Sequence, residues 1–251
     1  MRAVITGATS GIGLKTAEVL HNMGYSLTLI ARREDRLKHL RETFGYDTQI
    51  IQADLSKKEE VLRAFSECEK SDVEILINSA GFGLCGEFSK NSLEREIEMI
   101  DTNITAVHIL MKLFLNVFED KKKGYILNVS SIAAFSPGPL LAAYYSTKSY
   151  VKILTESVYG ELKHRNSPVY VGVLCPGPVR TEFDHVANVK FSLKGADPKY
   201  IAEYAIKKMF EKKLIILPTF SVKAAAFFSK FIPEKLLIKI AFKMQHKKLY
   251  R

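Results

Sequence analysis

Short apolar runs alternate with longer amphipathic ones along most of the chain. Residues 2–6, 26–31, 48–52, 74–78, 124–130, 169–175 and 214–217 are strand-like runs, most of them largely apolar. Residues 12–22, 33–44, 57–69, 92–119, 144–165 and 197–211 carry apolar positions three and four apart, which predicts helices. Runs that are apolar throughout predict strands covered on both faces. Strand–helix alternation predicts right-handed crossovers and a parallel sheet of about seven strands between two helical layers. The expected fold class is α/β: one doubly wound domain over residues 1–218, then a basic amphipathic helical extension over residues 219–251. Ligands of such sheets bind beyond the carboxyl ends of the strands.

Candidate chemistry falls at those ends. Directly after the first strand comes Gly7-Ala8-Thr9-Ser10-Gly11-Ile12-Gly13, and a helix follows. Strand, glycine-rich turn and helix form the Rossmann-like context in which backbone can approach a pyrophosphate at a helix N-terminus. After the second strand, where a carboxylate would accept the ribose hydroxyls of NAD, the chain has Ala31-Arg32-Arg33. Guanidinium groups suit a 2′-phosphate, so NADP(H) is the expected cofactor. Arg32 is the stronger candidate, because Arg33 also reads as the start of a solvated helix face. Tyr144 and Lys148 lie four apart on a predicted helix, with phenol and ammonium on one face. A neighbouring cation is expected to pull the phenol pKa down and ready it for proton transfer.

The ordered set Thr6-Gly7-x-x-x-Gly11-x-Gly13, Asn78-Ser79-Ala80-Gly81, Ser131, Tyr144-x-x-x-Lys148 and Pro176-Gly177-Pro178-Val179-Arg180-Thr181 resembles the short-chain dehydrogenase/reductase family. Ser79 departs from that family's usual Asn-Asn-Ala-Gly. The resemblance implies reduction of a carbonyl by NADPH: Ser131 orients the carbonyl oxygen, Tyr144 delivers the proton and Lys148 holds the nicotinamide ribose. Asn103 would complete a catalytic tetrad through a water; it also reads as a polar residue bending its helix. Ser130 is the rival to Ser131 and points the other way if both lie on a strand. Tyr145 is out of register with Lys148. By the same resemblance Asp54 meets the adenine, beside Leu55; it also reads as a helix N-terminal carboxylate. Asn78, Ala80 and Gly81 pass the adenosine ribose. Pro176, Gly177, Val179 and Thr181 wrap the nicotinamide. The family's usual dimer contact, or the homotetramer built on it, would use the helices at 92–119 and 144–165. The alternative functions are an NADPH-binding redox sensor without turnover and a membrane-surface adaptor working through the C-terminal extension.

Composition adds bounds. With 47% hydrophobic residues the 251-residue chain has the make-up of a globular protein. Cys68, Cys85 and Cys175 are scattered and read as reduced thiols, and a strand beginning at residue 2 leaves no room for a cleavable signal, so a cytoplasmic setting is expected. The histidines, His164 and His185 among them, form no ligand cluster, and no metal is expected. The uncharged run between Lys123 and Lys148 contains Asn128, Ser130, Ser131 and two prolines, and reads as strand plus loop rather than as a membrane span.

The net charge of +10 is lopsided: residues 212–251 hold ten Lys/Arg against Glu234 alone. Lys235, Lys239, Lys243 and Lys247 recur every four residues beside Leu236, Leu237, Ile240, Ala241 and Met244. Such a helix packs its apolar face on the fold or lies on an anionic membrane surface. Nucleic acid is a weaker partner because no reading motif accompanies the lysines. Between Thr181 and Pro198, Phe183, Val186, Val189, Phe191 and Leu193 point to an apolar carbonyl substrate.

Overall fold

The computed structural model describes residues 1–183, 187 and 195–249, the last three by backbone only. Seven strands form one parallel sheet: β1 (Arg2–Thr6), β2 (Ser26–Ala31), β3 (Gln49–Gln52), β4 (Val73–Asn78), β5 (Tyr125–Val129), β6 (Tyr170–Leu174) and β7 (Ile215–Ile216). Their order is β3-β2-β1-β4-β5-β6-β7. The order reverses between β1 and β4, which opens the crevice where a nucleotide sits in a doubly wound sheet.

The strands are mostly apolar because both faces are covered. On one side Leu20 of α1 (Gly11–Asn22), Leu37 of α2 (Glu34–Phe44) and Ile206 of α7 (Pro198–Phe210) close over Ile5, Leu29 and Leu174. On the other, Val61 of α3 (Lys58–Cys68), Phe114 and Phe118 of α5 (Ala106–Asp120) and Leu162 of α6 (Ala142–His164) close over Val4, Leu76 and Ile126. Each fully buried Phe contributes about 1.5–3 kcal/mol.

The helix expected over 92–119 is interrupted. α4 (Leu93–Ile100), capped by Ser92 accepting from Arg95 N–H, runs into a π-helical turn at Asp101–Thr105 before α5. Asn103 sits buried in that wide turn, so the bend and the polar residue coincide. A 3₁₀ turn at Ile132–Phe135 follows β5. Beyond β7 the extension forms two helices, α8 (Phe220–Phe228), capped by Thr219, and α9 (Glu234–Leu249). α8 reaches back to the body, where Val222 fits against Gly177. No helix among the described residues is long and apolar enough to cross a membrane.

Candidate active site

One cleft of about 370 Å³ runs over the carboxyl ends of the strands, from the glycine turn to Gln245. At its nucleotide end Thr6 Oγ1 accepts from Ser79 N–H and Ala80 N–H, each at 3.0 Å, and ties β1 to β4. Gly7 has φ +65°, and a Cβ there would sit 2.8 Å from Ala80 Cα. A Cβ at Gly11 would sit 2.9 Å from Thr181 Cγ2. Ser10 occupies the N-cap of α1 but makes no side-chain capping bond, which leaves first-turn N–H groups open to an anion. This cradle, which side chains would fill, fits a pyrophosphate. Thr9, Ser10 and Ile12 line the cleft; Gly13 does not, since a Cβ there would strike Gly7 O at 2.4 Å. Gly13 lets α1 pack on β1.

Arg32 and Arg33 both line the cleft. Arg32 ion-pairs with Glu98 at 2.9 Å. Arg33 and Arg36 converge instead, each donating to a Glu182 carboxylate oxygen at 2.6 Å. Hydrogen bonds from Arg33 and then Arg36 hold the Glu182 carboxyl below the usual carboxylate range. Arg33 and Arg36, one helical turn apart at the start of α2, thus hold the Glu182 carboxylate between them.

Asp54 and Leu55 line the cleft beside Arg32. Burial pushes the Asp54 carboxyl up, but hydrogen bonds from the Ser56 hydroxyl and N–H outweigh it and keep the group below its ordinary range. Ala80 and Gly81 also line the cleft, whereas Asn78 does not. As the last β4 residue Asn78 turns its side chain into the interior, donating to Asn128 Oδ1 at 2.8 Å. The Asn78 side chain thus serves the interior, while Ala80 and Gly81 present the backbone to the cleft.

At the other end Tyr144, Lys148 and Ser131 meet in the cleft. Ser131 lies near the Tyr144 hydroxyl and accepts from Ala133 N–H at 3.1 Å. Ser130 turns away, donating to Lys148 O at 2.7 Å. Lys148 Nζ donates to Val129 O at 3.0 Å and lies 5.9 Å from the Tyr144 ring centre. Burial lowers the Lys148 pKa to about 8. Burial also pushes the Tyr144 phenol up, opposed by the nearby Ser131 hydroxyl, and Lys148 does not pull it down. The expected depression of the phenol is therefore corrected: with both groups buried, desolvation of the anion dominates.

Asn103 does not line the cleft. It accepts from Phe82 N–H, donates to Phe82 O and donates to Thr147 Oγ1, clamping the turn after β4 to α6. A Cβ on Gly81 would lie 2.8 Å from Asn103 Oδ1 and 3.3 Å from Lys148 Nζ. Pro176, Gly177, Val179 and Thr181 edge the same end. Val179 bridges to Ala196 through Arg180 N–H and Pro178 O, bonds that leave its own amide out.

Phe82, Leu141 and Phe183 wall the side away from the nucleotide, and Phe183 lies 5.3 Å from Tyr144, ring centre to ring centre. Val186, Val189, Phe191 and Leu193 lie outside the described residues. Sequence reasoning missed Glu182 and Gln245 and passed Arg36 over as a solvated position. A helical spacing of three from Arg33 marks Arg36; no local pattern marks the other two.

Comparison with known proteins agrees with the geometry. The family model "short chain dehydrogenase" matches residues 1–190. The chain belongs to that family. An uncharacterized oxidoreductase of Staphylococcus saprophyticus is 36% identical over 190 residues, which are 74% of this chain and 77% of that one. The human "Inactive hydroxysteroid dehydrogenase-like protein 1" is 30% identical over 216 residues, 82% of this chain and 65% of its own length. A short-chain dehydrogenase from Sphingobium yanoikuyae, solved with NADPH, superposes with TM-score 0.83 at 27% identity and covers 92% of this chain and 93% of its own. The family is one of oxidoreductases, and its fold binds a nicotinamide cofactor.

Proposed function

We propose that this protein is an NADP(H)-dependent oxidoreductase that interconverts a carbonyl and an alcohol on a largely apolar small molecule. The observation that carries this reading is the meeting of Ser131, Tyr144 and Lys148 at one end of a cleft whose other end is a glycine cradle. When bound, the reduced nicotinamide supplies the hydride that forms the new C–H bond at the carbonyl carbon. Ser131 donates to the carbonyl oxygen and fixes its position. Tyr144 gives up its phenolic proton to that oxygen as the C=O π-bond breaks. Lys148 donates to ribose hydroxyls, and Asn103 keeps Gly81–Phe82 and α6 in register. The Gly7–Gly13 turn and the α1 N-terminus receive the pyrophosphate.

A regulator that binds nucleotide without turnover needs no hydroxyl and cation gathered at a phenol, so Ser131 and Lys148 beside Tyr144 favour the enzyme. The test follows NADPH absorbance with a panel of apolar ketones, small polar ketones and sugars. Turnover of the apolar set is expected, and turnover confined to polar ketones or sugars contradicts the substrate class.

Preference for NADP(H) rests on Arg33 and Arg36, which already hold a carboxylate. The double change Arg33→Ala/Arg36→Ala is expected to weaken NADPH binding by about 10- to 100-fold and NADH much less. Equal losses for both nucleotides contradict the assignment.

In this reading the protein works in the cytoplasm as a pair of copies joined through α5 and α6. Tyr150 and Ile153 stand exposed there beside His108. Its extension rests on an anionic membrane surface. On α9 the exposed Lys235, Lys239 and Lys243 are flanked by exposed Leu236, Ile240 and Met244 on one side and Ile238 and Phe242 on the other. Phe220 and Phe231 are 85% and 68% exposed nearby. Apolar flanks around a lysine stripe suit lipid tails below and anionic headgroups above. Each lysine adds about 1 kcal/mol of attraction near an anionic surface. Co-sedimentation with phosphatidylserine-containing vesicles is expected, with loss in pure phosphatidylcholine or on Lys235→Glu/Lys239→Glu/Lys243→Glu. Equal recovery with both vesicle types contradicts the contact.

A further inference from the structure

Tyr145, the neighbour of the proton donor, takes no part in the reaction above, yet it lines the same cleft. Its ring stands edge-on to Tyr144, with ring centres 6.2 Å apart at 75°. Gly138 makes room for it, since a Cβ there would lie 2.2 Å from the Tyr145 ring. The Tyr145 hydroxyl accepts from Gln245 Nε2 at 2.5 Å. Gln245 arrives from α9, a hundred residues downstream and beyond the stretch that the family model matches.

Gln245 is the feature that the reaction leaves unexplained. Its residue is 2% exposed, and it lines the cleft with Phe82, Leu141 and Phe183. Its Oε1 has no hydrogen-bond partner among the described residues. A buried carbonyl oxygen without a donor destabilises a site unless a ligand or water provides the missing hydrogen bond. Tyr145 fixes the amide, so that Oε1 is an oriented acceptor in an otherwise apolar wall.

We propose that Gln245, held by Tyr145, is a second polar anchor for the substrate: the apolar carbonyl compound carries a hydroxyl, remote from the reacting carbonyl, that donates to Gln245 Oε1. This assignment rests on the carbonyl–alcohol reading and deepens it to a hydroxyketone or its diol. Tyr144 and Gln245 line the same cleft, so acid and anchor can face one bound hydroxyketone. It also makes the extension part of the substrate site, because α9 carries the anchor on its inner face.

The test compares kcat/KM for a hydroxydecalone and the parent decalone in the wild-type protein, Gln245→Leu and Tyr145→Phe. Wild type is expected to favour the hydroxydecalone. Gln245→Leu is expected to lower the hydroxydecalone-to-decalone ratio by about 10- to 100-fold, since a site that has lost its hydrogen-bonding group no longer distinguishes the two. Tyr145→Phe, which frees the amide, is expected to lower the ratio by less, and it stands in if Gln245→Leu does not fold. A ratio unchanged by both substitutions, while the decalones are reduced, overturns the anchor alone. Reduction of neither decalone, nor of any other ketone, by the wild-type protein overturns the carbonyl reading beneath it.

Discussion

Tyr144→Phe is expected to lower turnover of any ketone the protein reduces by about 10²–10⁴-fold, the usual contribution of a positioned general acid. The ring itself should be undisturbed. It packs against Phe183 and Tyr145, and the substitution keeps those contacts. NADPH affinity should therefore change little, so a fluorescence titration alongside kcat separates loss of chemistry from loss of binding. The direction of the Tyr144 pKa matters here. Burial raises it, so the phenol is protonated at neutral pH and stands ready to donate in the reductive direction. Reductive turnover should not fall through phenol ionisation at neutral or mildly alkaline pH. Full retention of kcat in Tyr144→Phe would remove this residue from the chemistry.

Lys148→Met is expected to act in opposite senses on stability and activity. Lys148 is buried, and its pKa falls from 10.5 to about 8. Between these values the unfolded chain binds more protons than the folded one. The site's contribution to stability is thus complete only above about 10.5 and is lost as pH falls through about 8. At neutral pH the folded protein carries a buried ammonium whose main compensation is the bond to Val129 O. Replacing it with Met removes the desolvation cost and sacrifices that bond, for a net gain of about 2 kcal/mol. In a chain of this size that raises Tm by about 4–8 °C. Turnover should fall by at least about 100-fold, because the ribose contact and the charge beside Tyr144 both go. Thermal unfolding at two pH values provides the check. The stabilising effect of Lys148→Met should shrink as pH rises toward 10, and a variant less stable than wild type at pH 7 contradicts the burial argument.

Much of this fold is legible in the sequence because both faces of the sheet are covered. Strands such as Ser26–Ala31 are then mostly apolar, with Leu27, Leu29, Ile30 and Ala31 buried, and the turns at the cleft are marked by Gly7, Gly11 and Gly81. The site residues that were readable share a strand end or a helix face, as Tyr144 and Lys148 do four residues apart. What could not be read depends on separation and on burial. Gln245 meets Tyr145 across a hundred residues. Glu182 meets Arg33 across 149, and neither contact leaves a local pattern. The inward turn of Asn78 was also hidden, because a strand-end motif does not say on which side of the sheet its last side chain falls. The direction of the Tyr144 pKa was misjudged because spacing reports the nearby cation but not the desolvation that outweighs it. Asn103 was legible as a bend, yet the wide turn around it needs the hydrogen bonds to Phe82 and Thr147 to be seen.

The central claim is hydride transfer between a bound nicotinamide and a carbonyl carbon. NADPH carrying deuterium at the transferring position, mixed with the apolar ketone panel and followed by mass spectrometry of the alcohol, tests it most directly. The account predicts that deuterium appears on the carbinol carbon with the wild-type protein and is almost absent with Tyr144→Phe. Saturable NADPH binding with no deuterium in any alcohol product would contradict it.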